Sequence, residues 1–383
     1  MSSAERTTCR LGDVTVSQDS RRRPVKSTER SPGPYPYYGA SGIVDHVDSF
    51  IFEGLHLLVA EDGENLRSRN TPVAFLADGQ FWVNNHAHVL QGNSYSDTRY
   101  LAYAVEQLDL SGYLTGSTQP KLTKAALDSV VLDLPSIAEQ QAIAEVLGAL
   151  DDKIAANTAL ASTVAQLAST DFVETVRHVV RGPRFEEIAD ISGGGTPSTK
   201  NPALWDGDIW WATPTDMTAL VGPYLVSTSR RITPAGLAAC SSKLFGPGAI
   251  LMTSRATIGA LAINGVPTAL NQGFIAVEPH DPRLRWWLFH EMESRVEEFI
   301  SWANGATFLE LSRGNFKRLP VRVPEESVLV AFDSRIAPLH DVARGALAEN
   351  RTLAATRDAL LPQLMSGKLR VRDAEGLIFQ AGV

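Results

Sequence analysis

A regular pattern of apolar side chains runs through residues 143–168, IAEVLGALDDKIAANTALASTVAQLA. Apolar or small residues recur at intervals that alternate between four and three, with Asn157 in the one remaining slot; they are Ile143, Leu147, Leu150, Ile154, Ala161, Val164 and Ala168. This spacing is the heptad pattern of a helix whose narrow apolar seam packs against another helix. The stretch therefore predicts a long helix that needs a partner.

A second segment near the end of the chain repeats the pattern. Its seam has Asn350 and Arg357 as polar members, and its apolar members are Leu329, Phe332, Ile336, Leu339, Ala343, Ala346, Leu353, Leu360 and Leu364. Pro338 interrupts the segment, and we expect a kink or a break there because proline removes a helix hydrogen bond. Each helix should hold about 40 residues and extend roughly 60 Å. We expect the two seams to pack against each other; the alternative is that each packs on its own globular domain.

The two helices follow equivalent sequences, so the chain contains an internal repeat. GSTQPKLTKAAL, which starts at Gly116, aligns with GATFLELSRGNF, which starts at Gly305. The alignment continues without a gap to Pro135 and Pro324. An approximate two-fold axis between the halves would make the helices antiparallel.

Asn157 and Asn350 occupy equivalent seam positions near the middle of each helix. Buried asparagines in helix pairs fix the register at some cost in stability. We predict that the two side chains hydrogen-bond to each other and set the register of the pair. The alternative is that they are two amides on helix surfaces.

Sequence rich in glycine, proline and aromatic residues precedes each helix, with β-favouring runs such as 80–83 and 248–253. The predicted fold class is α+β, with two α/β domains separated by two long antiparallel helices that form a coiled coil, in a pseudo-two-fold repeat. The predicted segments are a first domain at 1–135, a first helix at 136–182, a second domain at 183–324, a second helix at 325–370 and a tail at 371–383.

Composition excludes several classes of protein. Of 383 residues, 44% are hydrophobic and 20% are charged, as in soluble globular proteins, and we find neither a membrane span nor a secretory signal. We therefore expect a cytoplasmic protein. Cys9 and Cys240 lie far apart, which argues against a disulfide framework and against a zinc site.

The net charge of −8 is unusual for a protein that binds DNA, although local clusters matter more than the sum. One basic cluster lies between Arg21 and Arg30. It is interpreted either as a solvated arm or as a phosphate-contacting one.

Three motifs that suggest chemistry fail on inspection. Residues 193–200, GGGTPSTK, lack the spacing of a phosphate-binding loop, and Pro197 removes a backbone donor. Residues 201–204, NPAL, match the motif of amino-methyltransferases only in their first two positions. His86 and His88 alternate along a strand-like run but have no evident third ligand. We therefore expect no catalytic residue, no metal and no cofactor.

Longer phrases of the sequence are distinctive in combination. In the first half they are YYGASGIVDHV from Tyr37, GQFWVNNHAHVL from Gly79 and LPSIAEQQAIAEVLGALDDKIAAN from Leu134. In the second half they are ISGGGTPSTKNPALWDGDIWWATPTDM from Ile191, LMTSRATIGALAING from Leu251, LNQGF from Leu270 and LAATRDALLPQLMSGKLRV from Leu353. In this order, the phrases resemble the specificity subunits of type I restriction-modification systems over nearly the whole chain.

The resemblance implies that each globular domain is a target-recognition domain that reads a few base pairs in the major groove of double-stranded DNA. It also implies that the helices act as a ruler for the spacer between half-sites and dock two methyltransferase subunits, and that restriction subunits join for cleavage. The chain itself would be a non-catalytic subunit.

For base reading we expect side chains on loops that present amide, hydroxyl or guanidinium groups to base edges. The candidates are Ser41, Arg67, Asn84, His86 and Lys121 in the first domain, and Thr213, Asp216, Thr253, Arg255 and Gln272 in the second. A structural role is the alternative for each of them. Two other functions stay open, namely a coiled-coil scaffold that binds only protein and an enzyme with an unrecognised hydrolytic site.

Overall fold

The computed structural model describes residues 6–305 and 309–380. It divides into two compact units. The first unit combines the chain up to Ile154 with the chain from Arg351 onward, and the second is Ala155–Asn350.

The first unit is a mixed α/β structure. Its strands are β1 (Thr7–Arg10), β2 (Thr15–Ser17), β3 (Tyr35–Gly39), β4 (Gly42–Val47), β5 (Phe52–Glu53), β6 (His56–Ala60), β7 (Ala74–Ala77), β8 (Gln80–Val83), β9 (Ala87–Gly92) and β10 (Val131–Leu134). Its short helices are α1 (Leu11–Val14), α2 (Asn65–Ser68), α3 (Thr98–Gln107) and α4 (Lys124–Ser129).

Two sheets and one ribbon organise these strands. The sheet orders are β2-β9-β6-β7 and β4-β3-β8-β5, and β1 pairs with β10. Phe52 and Phe81 stack at 5.6 Å between ring centroids in a buried cluster with Leu58 and Val89, and this cluster joins the sheets. The β3–β8 pair is parallel, so the loops that follow these two strands leave the sheet at the same edge.

The long helix α5 (Ile137–Val176) connects to the second unit, whose strands repeat the pattern. They are β11 (Arg181–Arg184), β12 (Ala189–Ser192), β13 (Trp205–Ala212), β14 (Tyr224–Leu225), β15 (Arg230–Ile232), β16 (Ile250–Thr253), β17 (Leu261–Asn264), β18 (Thr268–Leu270), β19 (Phe274–Pro279) and β20 (Pro320–Arg322). The helices are α6 (Phe185–Ile188), α7 (Pro214–Thr218), α8 (Pro234–Ala238), α9 (Leu284–Glu293), α10 (Val296–Ser301), α11 (Arg313–Arg318) and α12 (Glu326–Met365). The predicted tail contains another helix, α13 (Val371–Gln380).

The sheet topology confirms the internal repeat. The order β12-β19-β16-β17 in the second unit reproduces β2-β9-β6-β7, and β15-β13-β18 reproduces β4-β3-β8. The parallel pair β13–β18 corresponds to β3–β8, and the β11–β20 ribbon corresponds to β1–β10. The predicted fold class is therefore confirmed.

The helices α5 and α12 contain 40 residues each, as the heptads predict. In the second unit, Asn157 bonds to Glu349 and Asp171 pairs with Arg335, so the two helices run antiparallel there. In the first unit, Arg357 of α12 pairs with Asp151 of α5 at 2.6 Å.

The predicted seams are buried, and they also pack on the globular parts. Ile143, Leu147 and Leu150 share the core of the first unit with Leu353, Leu360 and Leu364. In the second unit, the ring of Phe172 contacts Trp287 at 4.9 Å and Phe332 at 5.9 Å between centroids. Both arrangements weighed from the sequence therefore occur together, since residues of each seam pack on the other helix and on the globular part of the same unit.

Helix α12 is continuous across Pro338, so the proline does not break the helix, and the kink that we expected as the other outcome stays a prediction. The buried neighbours Ile336 and His340 anchor the helix on both sides of the proline. Their burial offsets the cost of about 3 kcal/mol that a proline imposes inside a helix. Within the described part of the chain, no helix combines the length and the apolar character needed to cross a lipid bilayer.

Candidate nucleic-acid interface

One edge of the first unit brings together four of the five candidate residues of that half. We call residues 61–63, 84–86 and 115–121 the first loop cluster. Asn84 follows β8, its backbone nitrogen donates to the Tyr38 carbonyl oxygen at 3.0 Å, and its side-chain Oδ1 accepts from the His86 backbone nitrogen at 2.8 Å. Asn84 is 7% exposed. These bonds favour the turn-forming role over direct base contact.

The side chain of His86 projects from this turn and is 49% exposed. Its Nδ1 lies 2.9 Å from a carboxylate oxygen of Asp62. We expected His86 and His88 to face one side of a strand, but His86 lies in the turn and His88 is buried against Asp19 and the Leu122 carbonyl oxygen. The two imidazoles therefore have separate partners.

Lys121 lies on the neighbouring loop. Its Nζ is 3.2 Å from Glu61, which also receives Arg22 at 2.6 Å. Burial raises the pKa of Glu61, but the hydrogen bonds from Arg22 and Lys121 and the nearby His88 outweigh burial and hold the pKa below its usual value. Glu61 is therefore an anion that fixes two cations at this edge.

Arg67 closes the same cluster from α2. Its Nη2 donates to the carbonyl oxygens of Gly116 at 2.8 Å and Ser117 at 3.3 Å. Gly116 has φ of +83°, and a Cβ there would lie 2.2 Å from the Gln119 carbonyl oxygen, so the loop requires glycine at this position. Arg67 thus positions the loop that carries Lys121.

The structure accordingly brings Arg67, Asn84, His86 and Lys121 into one cluster. Ser41 lies exposed in the β3–β4 turn, beyond the strand end that Asn84 contacts. The basic segment at 21–30 is partly paired within the unit, since Arg22 bonds to Glu61 and Arg30 lies 2.9 Å from Asp45. These ion pairs favour a structural role for Arg22 and Arg30, whereas Arg21, Arg23 and Lys26 are exposed.

The second unit forms an equivalent edge. We call residues 254–256, 271–273, 304–305 and 309–310 the second loop cluster; residues 306–308 lie outside the described residues. Asn271 donates from its backbone to the Ala212 carbonyl oxygen at 3.0 Å, and its Oδ1 accepts from the Gly273 backbone nitrogen at 2.8 Å. Gln272 lies exposed between them and accepts a hydrogen bond from Thr196.

A cleft of about 450 Å³ opens beside Gln272. Arg255 lines it and donates to Glu310 at 2.8 Å, with 43% of the arginine side chain exposed. Arg313 and Lys317 of α11 line it as well. Within residues 6–305 and 309–380, neither of these two cations has a carboxylate partner. The cleft is therefore electropositive although the chain is acidic.

Thr213 and Asp216, two candidates in the second unit, form hydrogen bonds within the protein. Thr213 donates to Asp216 from its backbone nitrogen at 2.8 Å and from its hydroxyl at 2.6 Å, and the Ser229 backbone donates to the other carboxylate oxygen at 2.7 Å. Burial raises the pKa of Asp216, but these hydrogen bonds outweigh it and the pKa lies below its usual value. Both residues hold the α7 turn against the loop before β15.

Thr253 has no exposed surface, and its hydroxyl accepts from the Ala260 backbone nitrogen at 3.0 Å. We expected Thr253 on a loop, whereas it ends strand β16. Its hydrogen bonds with Ala260 close the turn that contains Arg255, and Thr253 itself does not face solvent.

Several residues of the clusters and of the cleft were not among the predicted ones: Asp62, Asn271, Glu310, Arg313 and Lys317. The repeat contained a signal for some of them, since Arg313 aligns with Lys124 and Asn271 follows its strand as Asn84 does. Pairing of Asp62 with His86 had no sequence signal, because the two residues are brought together only by the sheet.

The glycine-rich residues 193–195 pack against the protein. A Cβ at Gly194 would lie 2.0 Å from the Leu270 carbonyl oxygen, and the Trp211 indole nitrogen donates to the Gly195 carbonyl oxygen at 3.1 Å. These glycines permit close backbone packing, which explains them without a bound phosphate. In the part of the chain that the structure describes, no three His, Cys, Asp or Glu side chains converge as metal ligands.

Asn157 and Asn350 each bond to the opposite helix. Asn157 donates to Glu349 at 2.7 Å and Asn350 donates to Thr158 at 3.0 Å. In these two bonds, Asn157 donates to the residue before Asn350, and Asn350 donates to the residue after Asn157. The proposed role in register stays a prediction.

Both halves of the chain match one protein family. Residues 5–166 and 184–336 match the model of the type I restriction modification DNA specificity domain. Over 140 residues the chain is 36% identical to a putative type I restriction enzyme specificity subunit of Haemophilus influenzae, S.HindORF215P, covering 37% of this chain and 36% of that relative. Over 162 residues it is 36% identical to the type I restriction enzyme MjaIX specificity subunit of Methanocaldococcus jannaschii, covering 40% of this chain and 38% of that relative. The matches thus span little more than a third of the length of these two relatives.

A crystal structure of a type I restriction-modification system S subunit from M. genitalium shares the fold, with a TM-score of 0.65 at 14% identity over 95% of this chain and 97% of that one. The resemblance predicted from the sequence is confirmed. Because the family model matches both halves and well over half of the residues, the chain belongs to the family of type I restriction-modification DNA specificity domains.

Proposed function

We propose that this chain is a non-catalytic specificity subunit that reads a bipartite target in double-stranded DNA, one half-site with each unit. The observation that supports this most directly is the equivalence of the two loop clusters, each placed where two parallel neighbouring strands end. A loop cluster that occurs once in each unit suits a target made of two half-sites, as in dimeric DNA-binding proteins. Such a subunit would act in the cytoplasm, as the sequence predicts.

The electrostatics support DNA as the ligand of the second loop cluster. Arg313 and Lys317 line the cleft without a carboxylate partner among the described residues, so both are available to phosphates. Arg255 and Gln272 supply the donor and amide groups that base edges bind.

We further propose that α5 and α12 dock two methyltransferase subunits and that restriction subunits join the assembly. Both helices leave apolar side chains in solvent, namely Leu160, Leu167, Val173 and Val342. Exposed apolar side chains along a long helix pair are a suitable surface for protein partners.

Selection of DNA by the reconstituted complex tests this function. The chain would be combined with the methyltransferase subunits of its host and incubated with a random DNA library, and bound sequences would be determined. We expect two short conserved half-sites at a constant spacing and an affinity that falls steeply with salt. Recovery of random sequence would overturn the proposal and would favour the scaffold that binds only protein.

A further inference from the structure

The two loop clusters share one backbone frame. Four backbone hydrogen bonds of the first unit each have a counterpart in the second, all at 2.8–3.0 Å between N and O. In the first unit, the donor and acceptor residues are Asn84–Tyr38, Glu61–His86, Leu122–Glu61 and Lys121–Thr115. In the second unit, the counterparts in the same order are Asn271–Ala212, Ser254–Gly273, Leu311–Ser254 and Glu310–Asn304. The isolated bridges Asp62–Lys121 and Arg255–Glu310 are equivalent as well. Asp62 therefore corresponds to Arg255, and Lys121 corresponds to Glu310.

The side chains on this frame have opposite charges in the two units. The position of the anion Asp62 in the first unit is taken by the cation Arg255 in the second, and the position of the cation Lys121 is taken by the anion Glu310. The turn residue also differs, because His86 corresponds to Gly273. A common backbone thus presents different chemical groups at the same place.

In the first unit the presented group is an imidazole. The carboxylate of Asp62 accepts from Nδ1 of His86 at 2.9 Å, which fixes the ring and its tautomer. Within residues 6–305 and 309–380, Nε2 of His86 has no hydrogen-bond partner. In the neutral ring Nε2 is therefore an acceptor, suited to the amino group that cytosine or adenine displays in the major groove.

In the second unit the presented group is a guanidinium. Glu310 accepts from Nη2 of Arg255 at 2.8 Å, and this ion pair holds the side chain at the cleft. A guanidinium has donors only, and guanine, with two acceptors in the major groove, is its preferred base. Gly273 adds no side chain at the position where His86 projects.

On the basis of the DNA-reading function above, we propose that His86 and Arg255 read one base pair each with opposite hydrogen-bond polarity, and that Asp62 and Glu310 are their positioning residues. The first half-site then contains a base pair selected by an acceptor. The second contains one selected by a donor, presented from the neighbouring position of the equivalent loop cluster, where Asp62 stands in the first unit. Exchange of side chains on a fixed frame lets one fold read two different sequences.

Sequence selection by the full chain in complex with its methyltransferase subunits tests this assignment. We expect His86→Ala to lower the preference for one base pair of one half-site by roughly tenfold or more and to leave the other half-site unchanged. Arg255→Ala should do the same to the other half-site only. The unaffected half-site reports in each case that the variant is folded and bound.

Double variants separate positioning from a merely structural role. If Asp62 acts through His86, Asp62→Ala should reduce the same preference, and Asp62→Ala with His86→Ala should be no worse than His86→Ala alone. The same relation should hold for Glu310 and Arg255. Asp190→Ala is the matched control, since Asp190 forms an exposed pair with His280 at 3.3 Å outside both loop clusters, and it should alter neither half-site.

Two outcomes would overturn the assignment while leaving the proposed function intact: both half-sites unchanged in His86→Ala and Arg255→Ala, or both half-sites altered by either variant. If the unmodified complex selects no DNA sequence at all, the proposed function itself is overturned instead.

Discussion

The imidazole rings of His290 and His340 meet in the core of the second unit, with their Nε2 atoms 2.9 Å apart. The indole of Trp286 stacks on His340 at 3.5 Å between centroids, and the hydroxyl of Tyr224 lies 2.8 Å from its Nδ1. Both histidines are buried. Since one Nε2 must donate and the other accept, at least one ring is neutral in this arrangement.

Acid should destabilise the second unit through this pair. Burial, and then the charge of His290, lowers the pKa of His340 to about 3. As the pH falls from about 6.5 towards 3, an unfolded chain binds a proton at this histidine that the folded chain does not, so stability is lost at up to about 1.4 kcal/mol per pH unit. Urea unfolding between pH 7.5 and 4.5 should therefore show a shallower pH dependence for His340→Gln than for the unmodified chain. His46→Gln, at an exposed position, should keep the original dependence; parallel profiles for all three proteins would contradict the prediction.

Glu291 is the centre of a buried ion-pair network. It has no exposed surface, and it receives Arg295 at 2.9 Å and Arg322 at 2.7 Å. Glu291→Gln would remove the carboxylate that compensates Arg322 and leave buried Arg295 with Glu298 as its carboxylate partner, so the free energy of unfolding should fall by about 3 kcal/mol. Urea denaturation measures this loss. Glu297→Gln, which changes an exposed glutamate nearby, should stay within about 0.5 kcal/mol of the unmodified chain; equal effects of the two changes would argue against the network.

The sequence was sufficient for the helices and the repeat because both are periodic patterns in neighbouring residues. The contacts of His290 with His340 and of Glu291 with Arg322 join residues far apart in the chain. No local pattern indicates such pairs, since they depend on how α9 packs against α12 and β20.

The candidate site was predictable in part. Polar residues on predicted loops were expected to form the site, and the structure places His86 and Lys121 in the first loop cluster and Arg255 and Gln272 in the second. Thr213 and Asp216 have the spacing of a capping box, so their mutual hydrogen bond could have been inferred from the sequence. The burial of Thr253 could not, because it depends on where strand β16 ends.

Neutralising one cation of the cleft beside Gln272 should weaken DNA binding without regard to sequence. Arg313 lines the cleft and has no carboxylate partner among the described residues. If it contacts one phosphate, Arg313→Gln should lower affinity for every sequence and reduce the slope of log K against log salt by about 0.9. Fluorescence anisotropy across a salt series measures both quantities. Arg318→Gln is the matched control, because Arg318 is an exposed residue of the same helix that does not line the cleft. The opposite ranking of the two variants would place the DNA elsewhere.

Asn157 and Asn350 should specify the register of the helix pair. Asn157 is 4% exposed, and the bonds Asn157–Glu349 and Asn350–Thr158 link the helices at reciprocal positions. Replacing both residues with leucine removes these polar bonds and extends each apolar seam, so the chain should become more stable while populating shifted or aggregated states. Urea unfolding measures the stability, and sedimentation velocity detects the altered states. Gln166→Leu, at an exposed position of the same helix, adds an apolar side chain outside the seam and should not raise stability. If the double variant changes neither property, the two asparagines do not set the register.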